Sequence, residues 1–488
     1  MISTLYFVIT IIILCYLWIK KRYRYWKDQG FLQEDATFPM GSFKNVGTKE
    51  TEFEAFDSCY KKFKGKVQAV GIYSFLSPAI LLIDLELIKN IYVKEFSSFQ
   101  SRGMYYNEEV DPLSANLLTL DGQKWKERRV KLTQMFTSGK MKMMFEIIDS
   151  IGDKLVTVLE NKLTESCNQD MRNWAQRFTA DNIGNTSFGL ECKCLEDENS
   201  KFMKYGRKMF DLSIFEVMRF MFSMSFPNIS KKLGLRFFSK EVADFFYETF
   251  IQTFEYREKN NVQRNDFVSM LLELKDQFTK VQLAAESTLV FGGGYETSST
   301  LMTFILYELA LNPDIQQKLR DEIESRIEEN DGKLTYEMLN ELKFLDMVTN
   351  ETLRKYPPIA SGIRLCNKDY EIPGTNLTIS SGIPVQINTY SLHHDPDYFP
   401  NPNTFDPERF NEENFKNIKP YTYAPFGYGP RICIGMRFGL MQSKIGIAKL
   451  VANFSFSPCE KTMIPMKYST TNPFMAPQNG MWLKVERI

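Results

Sequence analysis

The stretch Pro425-Phe426-Gly427-Tyr428-Gly429-Pro430-Arg431-Ile432-Cys433-Ile434-Gly435 decides the fold. Its glycines and prolines bracket one cysteine, and an apolar, helix-like run from Met436 to Ala452 follows. Glycine lets a backbone adopt positive φ and approach something bulky, while proline stiffens the loop. The amides of Ile434, Gly435 and Met436 stand where a helix begins, and unpaired N–H groups there favour negative charge. A thiolate in such a place is stabilised and can hold a metal. The alternative is a structural cysteine buried beside a turn. A dinucleotide-binding loop is excluded, although Gly427-Tyr428-Gly429 begins like one. Ile432 stands where the third glycine belongs, and Pro430 interrupts the run.

The spacing F-x-x-G-x-R-x-C-x-G, on Phe426, Gly429, Arg431, Cys433 and Gly435, resembles the haem-binding loop of the cytochrome P-450 monooxygenases. In that family a cysteine thiolate holds the haem iron and favours O–O cleavage. The resemblance implies a mainly α (α+β) fold: a large helical domain with small β-sheets, preceded by one N-terminal transmembrane helix. It makes Cys433 the metal ligand, with Phe426 shielding the thiolate side and Gly427 within the same loop.

Further motifs occur in the family's order. Gly293, Gly294, Glu296, Thr297 and Ser298 match the oxygen-binding groove, (A/G)-G-x-(D/E)-T-(T/S). The resemblance gives Thr297 the delivery of protons to dioxygen and Glu296 their supply; the alternative is a threonine that merely bonds back to the preceding turn. Glycine costs about 1 kcal/mol relative to alanine inside a helix. Gly292-Gly293-Gly294 therefore predicts a local opening or the close approach of another group. Glu351 and Arg354 form E-x-x-R, and Arg409 lies in Phe405-Asp406-Pro407-Glu408-Arg409-Phe410. Resemblance joins these three as a buried supporting triad beneath the haem. Trp125 and Arg129, four apart and so on one helical face, match the family's W-x-x-x-R contact to the haem propionates. Arg364, His393 and Arg431 join them by position, although His393 reads equally as a turn histidine. Lys124, Lys126, Arg128 and Lys131 are left for the solvent side, by default an ordinary solvated face and alternatively a docking patch for an acidic reductase.

Composition narrows the field. The 488 residues carry no net charge, which removes the case for nucleic-acid binding. The eight cysteines are scattered without a disulfide framework, which suggests a reducing compartment. Cys192-Lys193-Cys194 lacks the partners of a zinc site. The two histidines are neighbours, His393 and His394, which excludes multi-histidine metal catalysis. No G-x-S-x-G elbow offers an esterase.

Residues 1–19 are almost continuously apolar, and Lys20-Lys21-Arg22-Tyr23-Arg24 follows. Nineteen residues at a rise of about 1.5 Å just span a bilayer core of about 30 Å. We expect a signal anchor over 1–19, with Tyr23, Tyr25 and Trp26 at the interface and the remainder in the cytosol by the positive-inside rule. A connector over 20–50 then leads to a catalytic domain over 51–488. Asn185, Asn228, Asn376 and Asn453 open glycosylation sequons that would stay bare. Val67–Tyr73 and Ile80–Ile83 read as strands around a Ser77-Pro78 turn. Phe215 to Phe226, rich in Phe and Met, is core by default, and by resemblance the roof of the substrate cavity, dipping into the membrane. Asn472 to Pro477 would form a turn touching substrate.

Stretches such as Tyr106-Asn107-Glu108-Glu109 and Phe136-Thr137-Ser138-Gly139-Lys140-Met141 resemble the insect family-6 microsomal enzymes. The implied reaction inserts one atom of O2 into a lipophilic substrate: plant toxins, insecticides and other xenobiotics, or endogenous lipids and hormones. Electrons would come from NADPH through a separate reductase at the endoplasmic reticulum, with cytochrome b5 a second candidate donor. Two readings without a reductase stay open: a thiolate-haem isomerase or peroxide-consuming enzyme, and a non-catalytic haem or lipophile binder.

Overall fold

The computed structural model describes residues 2–488, with side chains from Thr4 onward. The helices that position the site are α1 (Ile2–Arg22), α2 (Glu52–Phe63), α3 (Gly122–Thr133), α4 (Met171–Ser187), α5 (Lys201–Phe210), α6 (Ile214–Ser225), α7 (Lys280–Leu311), α8 (Lys343–Lys355) and α9 (Met436–Asn453). Helix α7 is the axis. Its residues are apolar all round, as a helix enclosed by others requires, and it packs against α4 on one side and α9 on another. A capping box between Thr279 and Gln282 starts it, and Asn312-Pro313 ends it.

Three small sheets complete the fold. The largest has strands β1 (Ala69–Ser74), β2 (Ser77–Leu82), β4 (Ser361–Leu365) and β7 (Pro384–Asn388) in the order β1-β2-β7-β4; only the β2–β7 pair is parallel. A second joins β3 (Asn168–Asp170), β8 (Phe454–Pro458) and β9 (Trp482–Arg487), and a third pairs β5 (Tyr370–Glu371) with β6 (Thr378–Ile379). The β1–β2 turn falls at Phe75-Leu76, with Phe75 at φ 52°, and not at Ser77-Pro78, which open β2 as partners of Ser74 and Tyr73. One apolar core fills the helical body and another surrounds the largest sheet.

Helix α1 matches the expected anchor in length and apolar character, and none of its side chains from Thr4 on is buried. The connector differs from the expected hinge. Trp26 is 1% exposed, donates from Nε1 to Ile72 O at 3.0 Å and covers Gly71, where any Cβ would lie 2.2 Å from the indole. It is a core residue, not an interfacial one. Backbone bonds from Glu34 N to Gly71 O and from Ser42 N to Tyr73 O then fasten the connector along β1. The 20–50 segment is therefore part of the sheet's packing rather than a free linker.

Candidate active site

The cysteine loop is held by its own backbone. Gly427 (φ +71°) and Gly429 (φ +73°) take the left-handed turns, and Cys433 N–H donates to Phe426 O at 3.0 Å. Gly429 is doubly constrained, because a Cβ there would sit 2.2 Å from Tyr92 O. Gly435, at φ −87°, caps α9 without a side chain. The Cys433 thiol is accessible, yet burial pushes its pKa up; the Gly435 amide, Arg102 and Arg129 pull it back down. Access together with desolvation places the thiol in a recess of the fold rather than on an open surface. The sulfur therefore looks inward, and a metal ion there would displace its proton outright.

Around it stand four guanidinium groups. Arg431 stacks 4.1 Å above Trp125, donates to Gln100 O, Leu120 O and Asp121, and leaves Nη1 buried without a partner. Arg364 is buried with Nε unpartnered. Arg102 donates to Leu118 O and Arg431 O. Arg129 is half-buried; burial lowers its pKa, and the nearby Cys433 sulfur opposes that shift. Burial, then the facing charge of Arg364, brings Arg102 down to about 10; burial, then Arg102, brings Arg431 to about 9. Asp121 is the anion beside them. Buried cations that repel one another and leave N–H groups unspent call for a further anionic partner. The two propionates of a haem, beside a thiolate for its iron, fit that demand.

Arg102 was not singled out from the sequence, where Ser101-Arg102-Gly103 reads as loop; no pattern there marks it. His393 is corrected in the other direction. Ala424 N–H donates to its Nε2 at 2.9 Å, so the proton must sit on Nδ1, which bonds Arg354 O at 3.0 Å. Both ring nitrogens are used, and no donor is left for a propionate. Arg128 is corrected too: it lies inside, paired with Glu286 at 2.5 Å, leaving Lys124, Lys126 and Lys131 outward on α3.

Helix α7 runs unbroken through its glycines, so the expected opening is absent and the close approach is present. At Gly294 a Cβ would meet Ile183 of α4 at 2.4 Å, whereas at Gly293 it would meet nothing. Gly293 and Thr297 share the open face, and the Thr297 hydroxyl donates to Gly293 O at 2.5 Å, the back-bond to the preceding turn. Ser298 faces α9, accepting from Gln442 at 2.7 Å. Glu296 points elsewhere. Successive helical residues diverge by about 100°, and its oxygens accept from Arg172 (2.8 Å), Gln176 (2.9 Å) and Asn472 (3.3 Å). The relay expected of Glu296 is thereby corrected to a tie among α7, α4 and the tail.

Glu351, Arg354 and Arg409 are brought together. Arg354 forks onto Glu351 at 2.7 and 2.8 Å, and Arg409 Nε lies 3.5 Å from the same carboxylate. Arg354 also reaches the carbonyls of His393 and Pro402, so the pair clamps the chain leading to the cysteine loop. The tail turn forms, with Ser469 N–H donating to Ala476 O at 2.8 Å, and Phe474 packs on Phe210 of α5. Cys192 and Cys194 are free thiols, and the described residues contain no cluster of metal-ligating side chains.

An internal cysteine ringed by guanidinium groups, on a helical body crossed by one long axial helix, defines a haem-thiolate enzyme. The family profile described as Cytochrome P450 matches residues 34–485, and the chain belongs to that family of monooxygenases. Among curated proteins it is similar to "Probable cytochrome P450 6a13" of Drosophila melanogaster, 40% identical over 491 residues and covering 100% of this chain and 99% of the relative. It is likewise similar to "Cytochrome P450 6A1" of Musca domestica, 38% identical over 484 residues, covering 96% and 95%. The insect family-6 resemblance thus extends along the whole chain.

Proposed function

We propose that this monooxygenase is membrane-anchored and inserts one atom of O2 into lipophilic substrates, xenobiotics such as plant toxins and insecticides foremost, with electrons from NADPH through a separate reductase. The observation that carries this reading is the accessible, inward-facing Cys433 beside guanidinium groups with unspent N–H bonds. Cys433 would hold the iron; Arg364, Arg431, Arg102, Arg129 and Trp125 would hold the propionates. When bound, the haem supplies the activation of dioxygen. Thr297 keeps a hydroxyl proton at Oγ1 on the open face of α7, and its spare lone pairs can accept another. Glu296 and the Arg354 clamp keep their elements in register. Phe426 and the apolar wall exclude water from the thiolate side.

The substrate class rests on the family-6 likeness and an apolar interior. Anchoring rests on α1 and on α6, whose Phe215 is 80% exposed. The reductase is supported by Lys124, Lys126 and Lys131 on α3, one fewer cation than the sequence suggested.

The test is spectral and then catalytic. The reduced protein under carbon monoxide should show the red-shifted band of a thiolate-bound haem, and Cys433→Ala should lose it. With NADPH and reductase, lipophilic candidates should give products one oxygen heavier. Thr297→Ala should keep consuming NADPH while product falls about a hundredfold or more, the usual worth of a positioned proton donor. Turnover that runs on peroxide and never on NADPH would favour the peroxide-consuming reading.

A further inference from the structure

The short helix Leu85–Lys89 runs directly into Asn90–Lys94, the one turn of π-helix among the described residues, closed by Glu95 N–H donating to Asn90 O at 2.8 Å. Turns this wide are rare and recur at functional sites. What this one presents is Tyr92, 3% exposed. Its carbonyl faces the cysteine loop so closely that Gly429 has no room for a Cβ. Its ring meets the Tyr428 ring of the same loop edge-on, with centroids 6.3 Å apart.

The same ring carries Arg364, whose guanidinium carbon lies 5.1 Å over its centroid. The hydroxyl abuts β4, where a Cβ at Gly362 would come within 3.0 Å of it. Gly362 and Arg364 are two apart and share one face of the strand. The glycine thus leaves the tyrosine its place beside the arginine. Little else in the protein directs that cation. Nη1 donates at 2.8 Å to the carbonyl of Ile363, its neighbour in sequence, and Nε is buried without a partner. Arg102 and Arg431 stand near enough to repel it. An aromatic face attracts a cation most strongly when the pair is shielded from water. Tyr92 therefore supplies the attraction that keeps Arg364 among like charges.

Resting on the haem-thiolate reading, we infer that Tyr92 is a positioning residue: its ring holds the Arg364 guanidinium where it meets a haem propionate. Haem transfer from the holoprotein to an apo-acceptor and the ferric–ferrous potential both read this without turnover. Tyr92→Leu should lose haem about fivefold or more faster than wild type, the worth of a shielded cation on an aromatic face. Its potential should fall, as should that of Arg364→Leu, because a positive charge leaves the haem edge. Tyr92→Phe keeps the ring and should stay within about twofold of wild type in transfer rate. Tyr92→Met fills the space without an aromatic face; it should behave as Tyr92→Leu and stands in for it if that variant does not fold. In an Arg364→Leu background, Tyr92→Leu should add less than about twofold. Haem loss from Tyr92→Phe as fast as from Tyr92→Leu, or an effect of Tyr92→Leu that persists in full without Arg364, would overturn the inference. The carbon monoxide band separates the two levels: its absence in wild type defeats the haem-thiolate reading, whereas its presence with equal haem loss in wild type, Tyr92→Leu and Tyr92→Met defeats the role of Tyr92 alone.

Discussion

Arg364 and His393 were both expected at the propionates, and their surroundings now predict opposite phenotypes. Arg364 is a buried cation with an unspent Nε, close to Arg102 and Arg431. In the apoprotein its removal relieves repulsion, so Arg364→Leu should leave apoprotein stability level or raise it by about 1 kcal/mol. The same variant should lose haem faster, measured by transfer to an apo-acceptor. His393 has both nitrogens bonded in the core. His393→Ala strands the Ala424 amide and the Arg354 carbonyl, and denaturant unfolding should show a loss of about 2–4 kcal/mol. Haem bound per folded molecule should not change. The sequence could not separate the two residues, because position along a motif says where a side chain starts and not which partner takes its last hydrogen bond. Cys433 was legible for the opposite reason: its requirement is written into backbone geometry, with Gly427 and Gly429 at positive φ and Gly429 against Tyr92.

At the scale of elements, local chemistry carried the helices and misplaced what tertiary packing decides. Helix α7 reads from its apolar run, but whether three glycines open it depends on Ile183 filling the space at Gly294. The connector reads as irregular, yet Trp26 seats it on β1. Because no Cβ fits at Gly71, Gly71→Ala should expel the indole and destabilise by about 3–5 kcal/mol, as Trp26→Ala should by emptying its site. The double variant should cost clearly less than the two losses added, in denaturant titrations of all four proteins. The short helix ending at His393 carries a pH dependence as well. Burial, then the charge of Arg354, brings His394 from 6.5 to about 3, and burial holds His393 well below its ordinary value. The unfolded chain takes up protons that the folded one refuses. Stability is therefore complete above pH 6.5 and falls as pH drops toward 3, by an order of 4 kcal/mol for His394. Urea midpoints across that range should decline, and less steeply in His394→Phe.

For the whole molecule, family membership was legible because its motifs lie hundreds of residues apart in one order, while the surface that meets a membrane was only half legible. The apolar run of α1 announces an anchor. The character of α6 is ambiguous, since Phe and Met suit a core equally well; only the fold shows that Ser223 alone among its residues is buried. Helix α6 is tied to the anchor's end of the molecule: Ser77 Oγ donates to Ser225 O at 2.7 Å beside the β1 edge that holds the connector. Phe215 on α6 is exposed, as are Ile229 and Leu233 just after it and Phe38 in the connector. Burying about four such side chains in a bilayer, at 1.5–3 kcal/mol each when complete, retains a protein without any spanning helix. Deleting residues 2–22 should therefore leave a protein that still sediments with phospholipid vesicles. Adding Phe215→Ser and Leu233→Ser to the deletion should release it, with the carbon monoxide band unchanged to show the fold intact. If the truncated protein is already free of vesicles, α6 faces water and the anchor acts alone.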